Sequence, residues 1–370
     1  MDDPLLTTPA GKPRARALSI PFDGAPGLRN AITDVAGVSV GSVTLISGDG
    51  PLITGRGPVR TGVTAILPRP PADALVPVFA GFHSQNGNGE MTGAHMIAEV
   101  GAFTLPITIT NTHACGIARD ATIGWINRVQ PGGLDDAWGL PVAAETYDGF
   151  LNDINGGHVT AAHVEAAIDA ATDGPIEEGS VGGGTGMIAF AFKAGSGTAS
   201  RRVRHKAGDF IVGAFVQANF GKRRNLTVRG RRLGEAFAEP ALVERTPKRD
   251  KSSIIGVIAT DAPLLPHQLA RLARRAPLGV ALTGGYAYHS SGDIFLAFST
   301  ANRDALTAGF GATAEAAFLA DSSLDPFFDA VIEATEEAIL NALVANADMT
   351  GRDGNFVPAI PRDRLAALFA

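Results

Sequence analysis

The sequence predicts a mixed α/β (α+β) fold built as one large domain. Short apolar runs rich in β-branched residues, bounded by glycine or proline, alternate with segments that carry apolar residues at helical spacing. No internal repeat interrupts this pattern along the 370 residues. Neither half of the chain, before or after Ser253, contains a self-sufficient set of strands and helices. Both halves are therefore expected to contribute to a single core.

The first half begins with an arm and continues as a sheet with helices. Residues 1–20 carry three prolines and scattered charges without any periodicity that buries a face. They are expected to form a flexible or clinging arm, followed by a single domain over residues 21–370. Strands are predicted at Val38–Leu45, Gly62–Leu67, Val76–Phe79 and Leu105–Thr110, and helices at Ala94–Val100, Cys115–Arg128 and Thr160–Ala171.

The second half has the same alternation. Pro266 in the first turn, apolar Leu269 and Leu272 on one face and two arginines at the end predict a helix over Pro266–Arg275. A long amphipathic helix is predicted at Phe327–Ala345. Strands are predicted at Ser200–Lys206, Asp209–Asn219, Ile254–Ala259 and Ile294–Thr300.

Composition excludes several classes of protein. A net charge of −6 and a pI near 5.8 provide no basic face for nucleic acid. One cysteine, Cys115, rules out an intrachain disulfide framework, and the eight histidines show no metal-binding spacing. No apolar run approaches the roughly twenty residues that span a bilayer, and no secretory signal is recognisable. We therefore expect a cytoplasmic protein without membrane, metal or cofactor.

The glycine-rich stretch Gly179–Gly186 does not match a nucleotide-binding motif. A phosphate-binding loop ends in Lys followed by Ser or Thr, and that ending is absent. A dinucleotide fingerprint would need glycine where Met187 stands. Both nucleotide interpretations fail on the residues themselves.

One junction stands out as a place for a nucleophile. Arg245–Lys251 is charged and contains Pro247, as in an exposed connection, whereas Ile254–Ala259 is typical of a strand buried on both faces. Ser253 lies at the boundary. If the bond between Ser252 and Ser253 were cut, Ser253 would carry a hydroxyl nucleophile and a free α-amine in one residue. The alternative is a serine pair at an ordinary loop–strand junction.

Several motifs occur together in one order, and their combination is more specific than any of them alone. They are Glu145–Asn155, Gly182–Met187, Val216–Gly221, Ala259–His267 and Ser291–Thr300. Together they resemble the family of L-aminopeptidase D-amidase/D-esterases and β-peptidyl aminopeptidases, from about Gly27 to Gly354. The resemblance implies an αββα sandwich of the N-terminal-nucleophile type. It also implies self-cleavage into an α chain of residues 1–252 and a β chain of residues 253–370.

The resemblance also implies roles for individual residues. Ser253 matches the family's nucleophile, and Ser291 with Asp293 matches a Ser-Gly-acid pair beside it. Because alternate strand residues share a face, both side chains are expected to hydrogen-bond Ser253 and its amine. The remaining matches are the oxyanion amide Asn219, the phenol Tyr147 near the same centre, the amine-binding carboxylate Glu145 and the aromatic wall Trp138.

The resemblance implies removal of an N-terminal residue from short peptides, amides or esters that carry a free amino group. It also implies a homo-oligomer, a tetramer of αβ units. The alternatives are a nylon-oligomer-type hydrolase or an acetyltransferase of the same fold, which use Thr where Ser253 stands, and an uncleaved scaffold protein. A triad of Ser253 with His267 and Asp261 is rejected, because His267 opens a helix beside two prolines and the α-amine makes it unnecessary.

Overall fold

Two stacked β-sheets organise the chain in the computed structural model, which describes residues 3–245, 252–307 and 312–370. The strands are β1 Ser39–Ser47, β2 Val59–Leu67, β3 Val78–Ser84, β4 Ala102–Phe103, β5 Ile107–Asn111, β6 Val142–Thr146, β7 Ile188–Ala189, β8 Phe192–Lys193, β9 Ser196–His205, β10 Gly208–Asn219, β11 Thr227–Val228, β12 Arg231–Arg232, β13 Ser252–Thr260, β14 Ser291–Ser299, β15 Met349–Thr350 and β16 Phe356–Val357. The α-helices are α1 Ala94–Val100, α2 Cys115–Val129, α3 Ala161–Asp169, α4 Pro266–Ala273, α5 Ala276–Leu282, α6 Asp325–Val344 and α7 Arg362–Ala366.

The larger sheet has the order β4-β3-β14-β13-β10-β9, and the smaller sheet has the order β1-β2-β5-β6. Neighbours pair antiparallel in both sheets except β13 with β14 and β5 with β6, which are parallel. Helices α4 and α6 cover the outer face of the larger sheet, and α2 with α3 covers the outer face of the smaller one. The predicted four-layer αββα sandwich is therefore confirmed.

Strand β13 has no polar side chain between Ile254 and Ala259. Ile255 and Val257 face the layer between the two sheets, where they meet Phe215 of β10. Ile254 and Ile258 point the other way, into the layer beneath α4 and α6. A strand buried on both faces has no position for a polar side chain, so alternation is lost. Ser253 lies at the start of this strand, on the face that looks between the sheets.

The arm at the N-terminus is packed rather than loose in the part that the structure describes. Ala15, Leu18 and Ile20 are buried against the core of the larger sheet. Arg14 is buried and donates from Nε to Glu178 Oε2 at 2.8 Å. The absence of periodicity left a flexible and a clinging arm open, and the described residues of the arm cling to the core. A segment that is anchored by a few apolar side chains and one buried ion pair packs against the core without a regular spacing of apolar residues.

Most predicted elements are present, with small shifts at their ends. Strand β6 was not predicted, because its residues follow a glycine- and proline-rich stretch and are short in β-branched types. Helix α5 was missed because Pro277 stands in its first turn, where proline is well tolerated. In the three described ranges, no helix is long and apolar enough to cross a bilayer.

Candidate active site

Ser253 and Asn219 lie opposite each other on neighbouring strands. They are register partners in the antiparallel pair of β13 and β10, which places their Cα atoms about 4.5–5.5 Å apart. The Ser253 side chain is buried, with 4% exposure. Among the described residues its Oγ has no hydrogen-bond partner. A bound substrate would supply the hydrogen-bond partner that this buried hydroxyl, beside a carboxamide, lacks.

The Asn219 amide is held in one orientation. Its Oδ1 accepts a hydrogen bond from the Ile188 backbone N–H at 3.0 Å. Its Nδ2 is buried and, within the part of the chain that is described, donates to no other atom. Because the oxygen is already engaged, the NH₂ group is the end left available. A neutral N–H donor held in place is suited to a developing oxyanion.

Ser291 and Asp293 lie on the opposite face of the sheet and contact Ser252. Ser291 Oγ donates to Asp293 Oδ1 at 2.5 Å and lies 2.9 Å from Ser252 Oγ. Because a hydroxyl has one proton, Ser252 donates to Ser291 in this arrangement. Burial raises the pKa of the Asp293 carboxyl, an effect that the Ser291 hydrogen bond opposes.

The expected contact of this pair with Ser253 is therefore absent from the described uncut chain. Side chains alternate along β13, so the residue that shares a face with Ser291 and Asp293 is Ser252. The backbone nitrogen of Ser253 is still part of a peptide bond here, and it has no free amine to offer. In the uncut chain the pair lies beside the junction, next to Ser252, and its contact with the Ser253 amine of the cleaved chain stays a prediction.

A loop that follows β3 encloses the site, and the sequence prediction did not assign it. Asn86 Oδ1 accepts from the Asp293 N–H at 2.7 Å, and Asn88 Nδ2 donates to the Ser290 carbonyl at 2.6 Å. A Cβ atom at Gly89 would lie 3.2 Å from Gly292 Cα and 3.4 Å from Glu145 Oε1. The density of Gly and Asn in residues 81–93 was the signal that this loop approaches other backbone closely.

Glu145 and Tyr147 stand at the end of β6, next to the end of β10. Gln217 Nε2 of β10 donates to Thr146 Oγ1 at 2.7 Å, which joins the two sheets at this point. Glu145 is buried, and its Oε1 accepts from the Glu90 N–H at 3.0 Å. Burial raises the pKa of this carboxyl, and the Glu90 hydrogen bond opposes the rise. Tyr147 is half-buried, directly after this pair of residues.

Trp138 does not join this cluster. It is 74% exposed and lines an apolar cavity of about 530 Å³ with Phe103 of β4 and Met96 of α1. Strand β4 pairs with the start of β3, whereas the residues near Ser253 contact its end. The expectation of an aromatic wall beside the nucleophile is not met in this single chain. The loop between α2 and β6 carries the tryptophan outward, which spacing along the sequence does not reveal.

The rejected serine triad is far apart in the structure. Asp261 follows the other end of β13, and eight residues of strand span about 26 Å. His267 opens α4 with its side chain 60% exposed and lies 3.5 Å from Asp321.

Burial raises the pKa of the Cys115 thiol to about 12. No group of three metal-binding side chains occurs among the described residues.

Comparison with known proteins assigns the chain to a family of peptidases. The sequence model of peptidase family S58 matches residues 30–357. Beta-peptidyl aminopeptidase BapA of Sphingosinicella microcystinivorans is 49% identical over 96% of this chain and 91% of that protein. A beta-aminopeptidase structure from Burkholderia sp. has a TM-score of 0.86 at 46% identity, covering 96% of this chain and 97% of the other.

A second solved structure resembles this one equally well. The L-aminopeptidase D-Ala-esterase/amidase of Ochrobactrum anthropi, described as a prototype of the serine aminopeptidases with a variant of the Ntn-hydrolase fold, has a TM-score of 0.88. It is 46% identical and covers 96% of this chain and 98% of that one. Identity at this level over almost the whole length supports comparison of activity as well as fold.

Proposed function

Since the chain belongs to peptidase family S58, we propose that it is a self-processing serine aminopeptidase and amidase with Ser253 as its N-terminal nucleophile. The single observation that carries this proposal is the pairing of Ser253 with Asn219. A buried Oγ lies opposite a carboxamide whose NH₂ group has no partner among the described residues. A nucleophile and an oxyanion donor on adjacent rigid strands form the minimum for acyl transfer.

Processing creates the active form. Ser253 Oγ attacks the carbonyl carbon of Ser252, the bond from that carbon to the Ser253 nitrogen breaks, and the nitrogen takes up the hydroxyl proton. Water then hydrolyses the resulting ester. The products are the carboxylate of Ser252 and a Ser253 that carries a free hydroxyl and a free α-amine. The break lies where β13 begins, so the larger part of the strand keeps its pairing.

The cut after Ser252 also changes the surroundings of Ser291. In the uncut chain Ser291 Oγ accepts the proton of Ser252 Oγ and donates to Asp293. When the new C-terminal end at Ser252 moves away from Ser291, that acceptor position is free, and the new α-amine is the nitrogen of the broken bond. The amine can then donate to Ser291 and accept the proton of the Ser253 hydroxyl as general base. Asn219 stabilises the oxyanion of each tetrahedral intermediate.

Glu145 gives the site its preference for a free amino terminus in this proposal. Its carboxylate is buried and held by the Glu90 N–H, so an entering ammonium group would form a charge-assisted hydrogen bond at low solvent access. The substrates are therefore short peptides, amides or esters with an unblocked amine. The relatives named above include β-peptidyl enzymes and an enzyme that acts on D-alanine esters and amides.

The two chains stay together after the cut. Strand β13 remains hydrogen-bonded to β10, which belongs to the other chain. Buried ion pairs also cross the break: Arg16 and Arg201 contact Glu337 at 2.6 and 2.8 Å. A homo-oligomer, expected as a tetramer of αβ units, and a cytoplasmic location remain predictions. Light scattering after size exclusion measures the first directly.

A panel of aminoacyl p-nitroanilides tests the proposed activity. Substrates with L-, D- and β-amino acids are compared, each with a free and an N-acetylated amine. The proposal predicts turnover of free-amine substrates and insensitivity to metal chelators. Hydrolysis of N-acetylated substrates at the same rate would contradict the assignment as an aminopeptidase and favour an endo-acting amidase such as an oligoamide hydrolase.

A further inference from the structure

A fully buried lysine lies beside the site and has no part in the reaction described above. Lys193 belongs to β8, and its side chain has 0% exposure. Its Nζ donates to the carbonyl oxygens of Met187 at 2.8 Å and Ala194 at 2.7 Å. Burial lowers the pKa of this ammonium group well below its usual value. Burial of a lysine costs free energy unless its nitrogen forms hydrogen bonds, and these two hydrogen bonds offset that cost.

The first of these contacts leads directly to Asn219. The carbonyl of Met187 and the N–H of Ile188 belong to the same peptide group. Lys193 Nζ donates to the oxygen of this group, and its N–H donates to Asn219 Oδ1 at 3.0 Å. One rigid planar unit thus connects the lysine to the amide. The three groups form a chain of hydrogen bonds that ends at the free Nδ2 of Asn219.

The backbone between these residues needs external support. Phe190 and Ala191, which connect β7 to β8, have φ values of 52° and 58°. Left-handed backbone is unfavourable for residues other than glycine. A turn of this kind keeps its shape only where surrounding contacts hold it. Lys193 Nζ bonds the carbonyl of Met187 before the turn and that of Ala194 after it, and the Ala194 N–H also donates to the Met187 carbonyl at 3.1 Å.

We propose that Lys193 is a positioning residue for the oxyanion donor. Acting through the Met187–Ile188 peptide, it holds Asn219 Oδ1 and leaves the Nδ2 group free toward the reaction centre. Hydrogen bonds in a chain also polarise one another, so the lysine strengthens the amide as a donor. This inference rests on the proposed role of Asn219, and it adds a residue that never touches the substrate.

The test is a double-mutant cycle between Lys193→Met and Asn219→Ala. Lys193→Met keeps an unbranched side chain that is one atom shorter, and it removes the donors. We expect kcat per mole of cleaved chain to fall about tenfold to a hundredfold, less than the 10²–10³ that complete loss of an oxyanion donor costs. KM should change by less than about twofold, since substrate binding does not use Asn219 in this scheme. In the Asn219→Ala background the same substitution should have almost no further effect.

The outcomes distinguish the positioning role of Lys193 from the oxyanion role of Asn219. If Lys193→Met lowers kcat by the same factor in both backgrounds, or not at all, the positioning role is wrong. If Asn219→Ala alone keeps wild-type kcat, the oxyanion assignment itself is wrong. Lys206→Met is the control, because Lys206 is exposed in the turn between β9 and β10, at the opposite end of β10 from Asn219. It should leave kcat unchanged in both backgrounds.

Two further readouts cover a variant that folds or processes poorly. Lys193→Gln retains a neutral donor, and it should lose less activity than Lys193→Met if donation to the carbonyl is what matters. Circular dichroism reports whether each variant is folded. Where a variant stays uncut, its rate of self-cleavage replaces kcat, because the same donor would stabilise the oxyanion on the Ser252 carbonyl. Additive losses in that rate would equally overturn the role of Lys193.

Discussion

Substitution of Glu145 by Gln tests how the site recognises a free amine. Gln has almost the same shape and keeps an oxygen that can accept from the Glu90 N–H, now 3.0 Å from Glu145 Oε1. The change removes only the negative charge. An ammonium substrate loses a charge-assisted partner, whereas an N-acetylated substrate never had one. The two substrates should therefore respond differently.

The size of the effect follows from the burial of the carboxylate. A hydrogen bond to a charged group contributes about 1.5–3 kcal/mol. At 1.36 kcal/mol per factor of ten, Glu145→Gln should lower kcat/KM for a free-amine substrate by about 10-fold to 150-fold. The assay compares one aminoacyl p-nitroanilide and its N-acetyl form on wild type and variant. Their ratio of kcat/KM should fall by that factor, because the acetylated substrate changes little.

The pH dependence supplies a second measurement on the same variant. Burial raises the pKa of Glu145, so the carboxylate needed for binding is present only above that raised value. Wild-type kcat/KM for free amines should thus decrease as the pH falls through it. The variant has no such ionisation and keeps only that of the Ser253 amine. Equal losses for both substrates, or an unchanged pH profile, would refute the role given to Glu145.

Three further predictions concern other residues. Asn219→Ala should lower kcat about 10²–10³-fold with little change in KM, as steady-state kinetics on cleaved enzyme will show. Glu337→Gln should destabilise the fold by about 3–5 kcal/mol in urea unfolding, because it breaks buried ion pairs such as that with Arg16, whereas removal of the exposed Arg128 should cost much less. Burial raises the pKa of Glu337, but its hydrogen bonds to Arg16 and the positive charges of Arg201 and Arg16 outweigh this and hold the pKa below its ordinary value. The contribution of Glu337 to stability is therefore present above the ordinary pKa of a glutamate and is lost as the pH falls through the lowered value. His267→Gln should leave the acidic limb of kcat/KM unchanged, since that side chain is exposed and remote; loss of the limb would make it the base.

The sequence was most informative where local pattern and burial coincide. The apolar run of β13 predicts a strand buried on two faces, and the charged stretch before it predicts a junction at Ser253. Both follow from side-chain chemistry within a dozen residues. The sandwich of two sheets came from the family resemblance, because pairing between β10 and β13 joins residues more than thirty positions apart. Periodicity contains no information about that register.

The parts of the site that were missed depend on three-dimensional placement. Asn86 and Glu90 act through a loop whose composition showed only that it turns tightly. Lys193 reads as one charged residue in an apolar run, and its burial is visible only once the turn of β7 and β8 is formed. Trp138 was placed by motif alone, and the loop that carries it points away. Side-chain direction at such positions is decided by contacts between distant segments.

Intact-mass spectrometry of the purified protein tests the central claim most directly. The wild-type chain should appear as two species, residues 1–252 and 253–370, that elute together under native conditions. Ser253→Ala should remain a single chain of 370 residues without activity, because it lacks the hydroxyl that attacks the Ser252 carbonyl. A wild-type protein that is fully active as one uncut chain, or a Ser253→Ala variant that cleaves at the same bond, would contradict the account.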